Sequence, residues 1–303
     1  MNKHLLQDNT SRAGVRFSVL GFGEQPEGIS RALLSVGLTL NTKHLLKSSI
    51  MSHSRVLKPL TSAPNAFTLD FDPRWLEPFR QSFYQDLSAY LNAPEQASLF
   101  QGGRLLRQPI ARRESPYYLF SYEDYPLLWL SANTALTLSL FLGLYEQLNL
   151  AQLFAEKTRP LRSLRMYGGF FVVGKQAPQP LWHYDYHLGA AAFTLIVPLF
   201  ELSPQMGHLL YEDSSGQIQT YHYRPHQALI FGTGFLHSTQ PYGPADTLRV
   251  LLSLTFGSDQ WQDWPLIKKN IQKQSRYYLL PCGHVAGCCL CEWKYQLQKI
   301  WQR

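Results

Sequence analysis

The spacing of apolar residues in the first half of the 303-residue chain predicts helices. The helical pattern extends from about residue 62 to residue 156. Asp72 and Pro73 form an N-cap followed by proline at the first helical position. One helix face is predicted from apolar residues spaced by four: Trp75, Phe79, Phe83, Leu87 and Leu91. Pro94 ends this helix, and a second apolar helix is predicted over 131–150.

From about residue 161 the pattern changes to short apolar runs separated by turn-forming residues, which predicts β-strands. Strands are predicted over 165–174, 191–200, 207–212, 217–223, 227–232 and 248–256, with a hairpin turn at 213–216. Pro198 indicates an edge or a bulge in the second of these strands. Helices followed by several short strands favour an α+β fold in which the helices brace one face of a jelly roll.

We expect four regions: a basic N-terminal extension over 1–58, a helical support region over 59–160, a jelly-roll core over 161–259 and a basic C-terminal element over 260–303. The uncharged segment 127–145 has the length of a membrane span. Its hydroxyl and amide side chains would be costly in lipid, so a buried core helix is the favoured interpretation. No membrane span is expected, and the N-terminus lacks the layout of a signal peptide.

The net charge of +7 comes from the two ends of the chain. Residues 1–58 contain 8 Lys and Arg against 3 Asp and Glu, and residues 261–303 contain 7 against 2. The middle, 59–260, is slightly acidic, with 13 against 16. A nucleic-acid enzyme more often carries a basic stripe across its working face, so no nucleic-acid partner is expected. All four cysteines lie between 282 and 291, unlike those of disulfide-built secreted folds, which favours a cytoplasmic location.

The candidate chemistry begins at His183 and Asp185, which are two residues apart. On a strand, such residues point to the same face, so the imidazole and the carboxylate would converge. His237 follows 54 residues later, just after an apolar strand, and Arg249 opens the last strand. Two His and one carboxylate on one side of a metal form the facial triad of non-haem Fe(II) oxygenases. Its open positions suit a 2-oxo acid and O2, and an arginine fork can hold the distal carboxylate of such a co-substrate.

This combination resembles the Fe(II)/2-oxoglutarate-dependent dioxygenases, over roughly residues 162–257. The resemblance implies a double-stranded β-helix, a jelly roll related to cupins. It also implies His183, Asp185 and His237 as iron ligands and Arg249 as the partner of 2-oxoglutarate. Because the halogenating members lack the carboxylate at the position of Asp185, the resemblance favours hydroxylation, with release of succinate and CO2.

Other residues are candidates for the same site. Ser253 shares a strand face with Arg249, and Tyr167 could hydrogen-bond 2-oxoglutarate through its phenol. Trp182, Tyr184 and His187 flank the ligands and are candidates for the substrate pocket. Each candidate also has an ordinary structural interpretation. His183 and Asp185 could be a surface pair, His237 a loop histidine, Arg249 part of a structural ion pair, and Tyr167 a core aromatic residue.

A second cluster packs four cysteines and one histidine into residues 282–291. Thiolates and imidazole suit Zn(II), so Cys282, His284, Cys288 and Cys291 form a candidate zinc site. Their separations are tighter than in usual zinc fingers, and reduced, partly buried thiols are the alternative interpretation. Residues 292–302 predict a terminal amphipathic helix.

The sequence therefore predicts an Fe(II)- and 2-oxoglutarate-dependent oxygenase, most simply a hydroxylase of a small metabolite or an amino-acid-like substrate, with O2 as co-substrate. Three alternatives stay open: an oxygenase of the same chemistry that modifies a peptide or protein, a cupin-type metal enzyme that needs no 2-oxoglutarate, and a non-enzymatic cupin-like binding or interaction module.

Overall fold

The structure, a computed structural model, describes residues 56–60, 63, 65–111, 114–155, 163–288 and 290–301. Most of the predicted N-terminal extension, residues 1–55, lies outside this range. The strands are β1 Lys58–Pro59, β2 Ala66–Asp70, β3 Leu106–Pro109, β4 Tyr117–Ser121, β5 Leu127–Ala132, β6 Leu164–Gly174, β7 Ala192–Pro198, β8 Leu209–Glu212, β9 Ile218–Tyr221, β10 Gln227–Phe231, β11 His237–Thr239 and β12 Arg249–Ser258. The α-helices are α1 Glu77–Phe83, α2 Ala89–Asn92, α3 Ala135–Gln147, α4 Leu150–Ala155, α5 Trp264–Gln274 and α6 Cys291–Trp301.

The described strands form two antiparallel sheets. The large sheet has the order β1-β2-β10-β7-β12-β6-β5-β4-β3, and the small sheet has the order β11-β8-β9. One cluster of buried side chains joins the large sheet, through residues such as Val172 and Leu251, to the small sheet, through Leu209 and Tyr211. The protein is therefore α+β, and its core is a jelly roll, the double-stranded β-helix that the sequence predicts.

The opposite face of the large sheet is covered by the N-terminal helices. Phe79, Phe83 and Phe141 from α1 and α3 pack around Phe171 of β6, with ring centroids 5.8 to 6.3 Å from its ring. These helices brace the sheet from behind and leave its other face to the site.

The first predicted helix is present, and its irregularity has a cause in the sequence. Asp72 caps a 3-10 turn at Pro73–Leu76 by accepting a hydrogen bond from the Arg74 amide. After α1, a π-helical segment, Tyr84–Ser88, leads into α2. Apolar residues spaced by exact fours drift around an ordinary helix of 3.6 residues per turn. The wider π turn corrects this drift, so that Phe83, Leu87 and Leu91 are all buried.

The expectation of a helical region over 59–160 is wrong in part, because β1 to β5 lie within it and join the large sheet. Residues 127–145 are not one helix: Leu127–Ala132 is a strand, and α3 begins after Thr134, whose side chain caps the helix by accepting from the Thr137 amide. The strand is buried on both faces and therefore reads as a continuous apolar run, which periodicity cannot distinguish from a buried helix. No helix in the described part of the chain is long and apolar enough to cross a membrane.

Candidate metal centre and co-substrate cavity

The two predicted histidine ligands lie on backbone segments that pair with each other. The His183 amide donates to the His237 carbonyl at 3.0 Å, and the His237 amide donates to the His183 carbonyl at 3.1 Å. His183 lies in an irregular loop rather than on a regular strand. The isolated bridge, and not strand alternation, places His183 beside His237. It extends the edge of the small sheet and brings together residues 54 positions apart.

His183, Asp185 and His237 form a compact group of ligand atoms, all within 4.8 Å of one another. Asp185 Oδ1 lies 3.5 Å from His183 Nε2 and 3.8 Å from His237 Nε2. The donor set is two imidazole nitrogens and one carboxylate oxygen on one side of a common point. This set suits octahedral Fe(II) with three positions open.

Backbone carbonyls fix the orientation of both rings. His183 Nδ1 lies 2.9 Å from the Leu181 carbonyl oxygen, and His237 Nδ1 lies 3.1 Å from the Phe235 carbonyl oxygen. A carbonyl only accepts, so each Nδ1 carries the proton and each Nε2 presents its lone pair to the metal position. Such outer contacts set the tautomer and orientation of histidine ligands.

The carboxylate is held by contacts on several sides. Thr194 Oγ1 donates to Asp185 Oδ2 at 2.5 Å and also lies 3.0 Å from the Tyr186 hydroxyl. Asn270 of α5 donates to the Asp185 backbone carbonyl. Burial opposes ionisation of Asp185, but hydrogen bonds from His183 and Thr194 and the nearby His237 outweigh it and lower its pKa to about 2.

The pKa values of the two histidines are shifted in opposite directions. Burial lowers the pKa of His237 to about 4, so its ring is neutral at pH 7. Burial also works to lower the pKa of His183, but the hydrogen bond and the charge of Asp185 outweigh it and raise that pKa. Metal binding requires neutral imidazole, so the raised pKa of His183 makes metal binding more sensitive to acid than it would be with an unshifted histidine.

Arg249 is buried at 1% exposure in the same cavity as the triad. Its Nε donates to the Gly207 carbonyl at 2.8 Å, and its guanidinium carbon lies 5.6 Å from the centre of the Tyr223 ring. Its Nη1 is buried and has no hydrogen-bond partner, and no carboxylate among the described residues forms an ion pair with it. A buried, uncompensated charge costs several kcal/mol, so an anion is the expected occupant of this position.

Two phenols add to the polar surface beside Arg249. The hydroxyls of Tyr125 and Tyr223 are buried without a hydrogen-bond partner, and both residues line the cavity. Burial raises the pKa of Tyr223 to about 12, which keeps its phenol protonated and able to donate. The unpartnered Nη1 of Arg249 and the two phenols fit a carboxylate, which accepts several hydrogen bonds at once.

The cavity has a volume of about 310 Å³ and contains both the triad and Arg249. Arg249, Leu251, Ser253 and Thr255 all line it, which confirms that these alternate residues of β12 share one face. The large sheet supplies the floor, and α5 supplies a wall through Asn270 and Gln274. The residues fit Fe(II) at the triad and 2-oxoglutarate between the triad and Arg249.

No family model matches the chain, and no curated protein matches it. Solved structures are similar in fold. AviO1 from Streptomyces viridochromogenes Tue57 is 12% identical over 65% of this chain and 90% of that one, with a TM-score of 0.44. A Pseudomonas putida prolyl-4-hydroxylase is 14% identical over 64% and 92%, at 0.40. EctD from S. alaskensis with bound Fe is 11% identical over 64% and 73%, at 0.44.

His183, Asp185 and His237, the HxD and distal His residues on which the sequence resembles the Fe(II)/2-oxoglutarate-dependent dioxygenases, are brought together in the structure. The residues around the triad differ in part from the positions that the sequence predicts for them.

Tyr167 is placed away from the cavity, so its predicted contact with 2-oxoglutarate is not supported. It is fully buried, its phenol donates to the Ser258 carbonyl, and its ring stacks on Trp264 at 5.1 Å. Phe170 and Val172 line the cavity, so alternation along β6 already places Tyr167 on the other face of the strand. Tyr167 is also the extra residue of a bulge, where β6 and β12 shift register between Thr255 and Phe256.

The three candidates for the substrate pocket have different positions. Tyr184 lines the cavity and is 55% exposed at its mouth. Trp182 is half-buried and His187 is exposed, and neither lines the cavity. The segment is irregular, so the alternation that would place His187 beside Asp185 does not hold.

Several lining residues were missed by the sequence analysis. Tyr122, Tyr125 and Trp129 come from the region that reads as helical, and Asn270 and Gln274 come from α5. No local signal marks them, because they reach the site through tertiary packing. Thr194 could have been found, because it lies in the predicted strand that follows the HxD residues.

In the second cluster, Cys282, His284 and Cys291 have their ligand atoms within 4.8 Å of one another. Cys288 is exposed and does not belong to this group. The terminal helix is present as α6.

Proposed function

We propose that this protein is an Fe(II)- and 2-oxoglutarate-dependent oxygenase that hydroxylates a small metabolite or an amino-acid-like substrate. One observation carries the proposal: a two-His, one-carboxylate group and a buried arginine with an unpartnered Nη1 share a single cavity. The triad alone would suit many metal sites. The buried guanidinium adds a requirement for an anion, which a 2-oxo diacid meets.

The residues of the chain have distinct parts in this proposal. His183, Asp185 and His237 would hold Fe(II), and Thr194 and Asn270 would orient Asp185. Arg249, with Ser253 on the same face of β12, would bind the distal carboxylate of 2-oxoglutarate. Iron, when bound, would activate O2 and couple conversion of 2-oxoglutarate to succinate and CO2 to oxidation of the substrate.

The shape of the site supports a small substrate. A volume of about 310 Å³ is at the lower end of the range of about 300–1000 Å³ that is usual for small-molecule sites. 2-Oxoglutarate would fill part of it. The remaining wall is aromatic, through Tyr122, Trp129 and Tyr184, with amide groups from Asn270 and Gln274. Such a wall suits a compact substrate with an apolar body and polar ends.

Anaerobic titration of the apoprotein with Fe(II), and then with 2-oxoglutarate, tests the proposal. The weak visible charge-transfer band of the iron–2-oxoglutarate chelate should appear in the wild type and should be absent from His183→Ala. His187→Ala is the matched control, because His187 is an exposed histidine four residues away that does not line the cavity. It should retain the band.

If the folded wild-type protein gives no band, the proposal is wrong. A band without substrate-stimulated succinate release from any small metabolite, but with release on addition of peptides, would instead identify a peptide-modifying oxygenase. A band without succinate release on any addition would favour a binding module.

A further inference from the structure

A second group of metal-ligating side chains lies outside the cavity, at the start of the C-terminal helix. Cys282 and Cys291 are half-buried and His284 is exposed, and their ligand atoms lie within 4.8 Å of one another. Cys291 Sγ and His284 Nδ1 are 3.9 Å apart. The residues come from two separate elements, a tight turn and a helix.

The turn presents Cys282 and His284 side by side. The Gly283 amide donates to the Leu280 carbonyl at 2.8 Å, and the Leu280 amide donates to the His284 carbonyl at 2.8 Å. Gly283 has a φ of +84°, which is the left-handed conformation that closes three-residue hairpin loops. The next pair out, Leu279 and Val285, forms a bridge that continues this short hairpin. The backbone therefore fixes the spacing of the two ligands.

The third ligand, Cys291, is the first residue of α6. The next residue, Glu292, accepts a hydrogen bond from Trp264 Nε1 at 3.2 Å and pairs with Lys268, and both partners belong to α5. The first turn of α6 is therefore held in place by contacts other than those of the cluster.

Zn(II) is the metal that this donor set favours. Zinc–sulfur bonds of about 2.3 Å and zinc–nitrogen bonds of about 2.0–2.1 Å at tetrahedral angles put S and N roughly 3.6 Å apart. The observed 3.9 Å needs only a slight closure. Two thiolates and one imidazole disfavour Mg(II), Ca(II) and Mn(II), which prefer oxygen ligands.

We propose that Cys282, His284 and Cys291 bind one Zn(II), and that this zinc fastens α6 to the 280–284 turn. The site is separate from the triad and differs from it in chemistry, because it has thiolates in place of a carboxylate. Cys288, which is exposed and outside the group, is not a ligand.

Cobalt substitution of the full-length chain tests the site. His183→Ala, which lacks one triad ligand, serves as the background so that the other site binds cobalt poorly. In this background, Co(II) should give an intense near-ultraviolet thiolate-to-cobalt charge-transfer band and the strong visible bands of a tetrahedral ion. Purified protein should contain about one equivalent of zinc. Adding Cys282→Ser or Cys291→Ser should remove the bands and most of the zinc, whereas Cys288→Ser, the matched control, should keep both.

Protection from alkylation provides a test on the unaltered wild-type protein, in case the serine variants do not fold. With zinc present, iodoacetamide should modify Cys288 but neither Cys282 nor Cys291, and removal of zinc by a chelator should expose all three. The proposal is overturned if the folded background protein shows no thiolate–cobalt band, if the band survives Cys291→Ser, or if Cys288→Ser abolishes it. None of these readouts depends on oxygenase activity, so this proposal and the proposed function can fail separately.

Discussion

Side-chain and backbone groups outside the triad orient its ligand atoms. Thr194 bonds the non-facing oxygen of Asp185, and the Leu181 and Phe235 carbonyls hold the two imidazoles. These contacts point the ligand atoms toward the common metal position. Arg249, at the other end of the cavity, is oriented in a similar way. Its Nε donates to the Gly207 carbonyl, and its Nη1 is left for a ligand.

Replacing Thr194 with valine should weaken metal binding without changing a ligand. The substitution keeps the volume and removes the hydroxyl that bonds Asp185 Oδ2. Loss of such an outer contact costs about 10- to 100-fold in metal affinity. Competition titration with Fe(II) or Mn(II) measures the change. Thr220→Val, on an exposed strand position, is the control. Equal affinities for the two variants would show that the Thr194 hydroxyl has no such role.

Replacing Arg249 with lysine should raise the KM for 2-oxoglutarate. The charge is kept, but the planar fork and its fixed distance from the triad are lost. Charge-assisted hydrogen bonds contribute about 1.5–3 kcal/mol, which corresponds to roughly a 10- to 100-fold rise in KM. Steady-state kinetics of succinate formation measures it, with exposed Arg224→Lys as the control. An unchanged KM would show that the co-substrate does not reach Arg249.

At the scale of single residues, the spacing in the sequence predicts which residues form the site but not how the backbone brings them together. His183, Asp185, His237 and Arg249 were found as a motif, and the structure brings them to one cavity. The reason proposed for the convergence of His183 and Asp185, a shared strand face, is wrong, because the segment is a loop held by one bridge. Tyr167 faces away from the cavity because it alternates with Phe170 and Val172, which line it.

Among the elements, strand β6 faces the bracing helices on one side and the cavity on the other. Its Phe171 lies against the bracing helices, while Phe170 and Val172 line the cavity. Gly169 lies at the closest approach between this strand and α3. A Cβ atom placed there would lie 2.3 Å from carbons of the Phe141 ring.

Gly169→Ala should therefore destabilise the protein. Overpacking of a rigid aromatic core costs about 1–3 kcal/mol. Gly143→Ala, in α3, is the matched control, because a Cβ there meets no atom within 4 Å and alanine favours a helix by about 0.5–1 kcal/mol. Denaturant unfolding should show opposite signs for the two variants. A Gly169→Ala protein as stable as the wild type would mean that α3 can move away from the sheet.

Six strands of the jelly roll were predictable because each is bounded by turn residues, whereas the three-residue strand β11 was not predicted. Predicted strands such as 165–174 and 227–232 match β6 and β10 within a residue at each end. The strands before residue 160 were missed. β5 is buried on both faces and has no alternation, and β4 is nearly so. Only pairing with β6, through contacts distant in sequence, identifies β5 as a strand.

The whole molecule should gain stability when both ends of the cavity are occupied. His237 of the small sheet would help to hold Mn(II), and Arg249 of the large sheet would hold 2-oxoglutarate, so the bound pair would make contacts with both sheets. A ligand at a hundred times its Kd adds about 2.7 kcal/mol of stability. For a chain of this size we expect Tm to rise by roughly 5–10 °C. Thermal unfolding with and without the pair measures it.

Pyruvate is the control for this stabilisation. It has the same metal-chelating keto acid but no distal carboxylate to meet Arg249. With Mn(II), it should raise Tm much less than 2-oxoglutarate does. If the two acids stabilise the protein equally, the buried guanidinium serves another anion.

The reciprocal bridge between His183 and His237 has a consequence for dynamics. Two amide protons, one on each ligand residue, are bonded across the bridge, while most amides of the surrounding loop face no such partner in the described chain. They should exchange with deuterium slowly and together, because one opening event breaks both bonds. That event also separates the two imidazoles. The protection of these two amides from exchange therefore measures the free energy of the opening that separates the two histidine ligands.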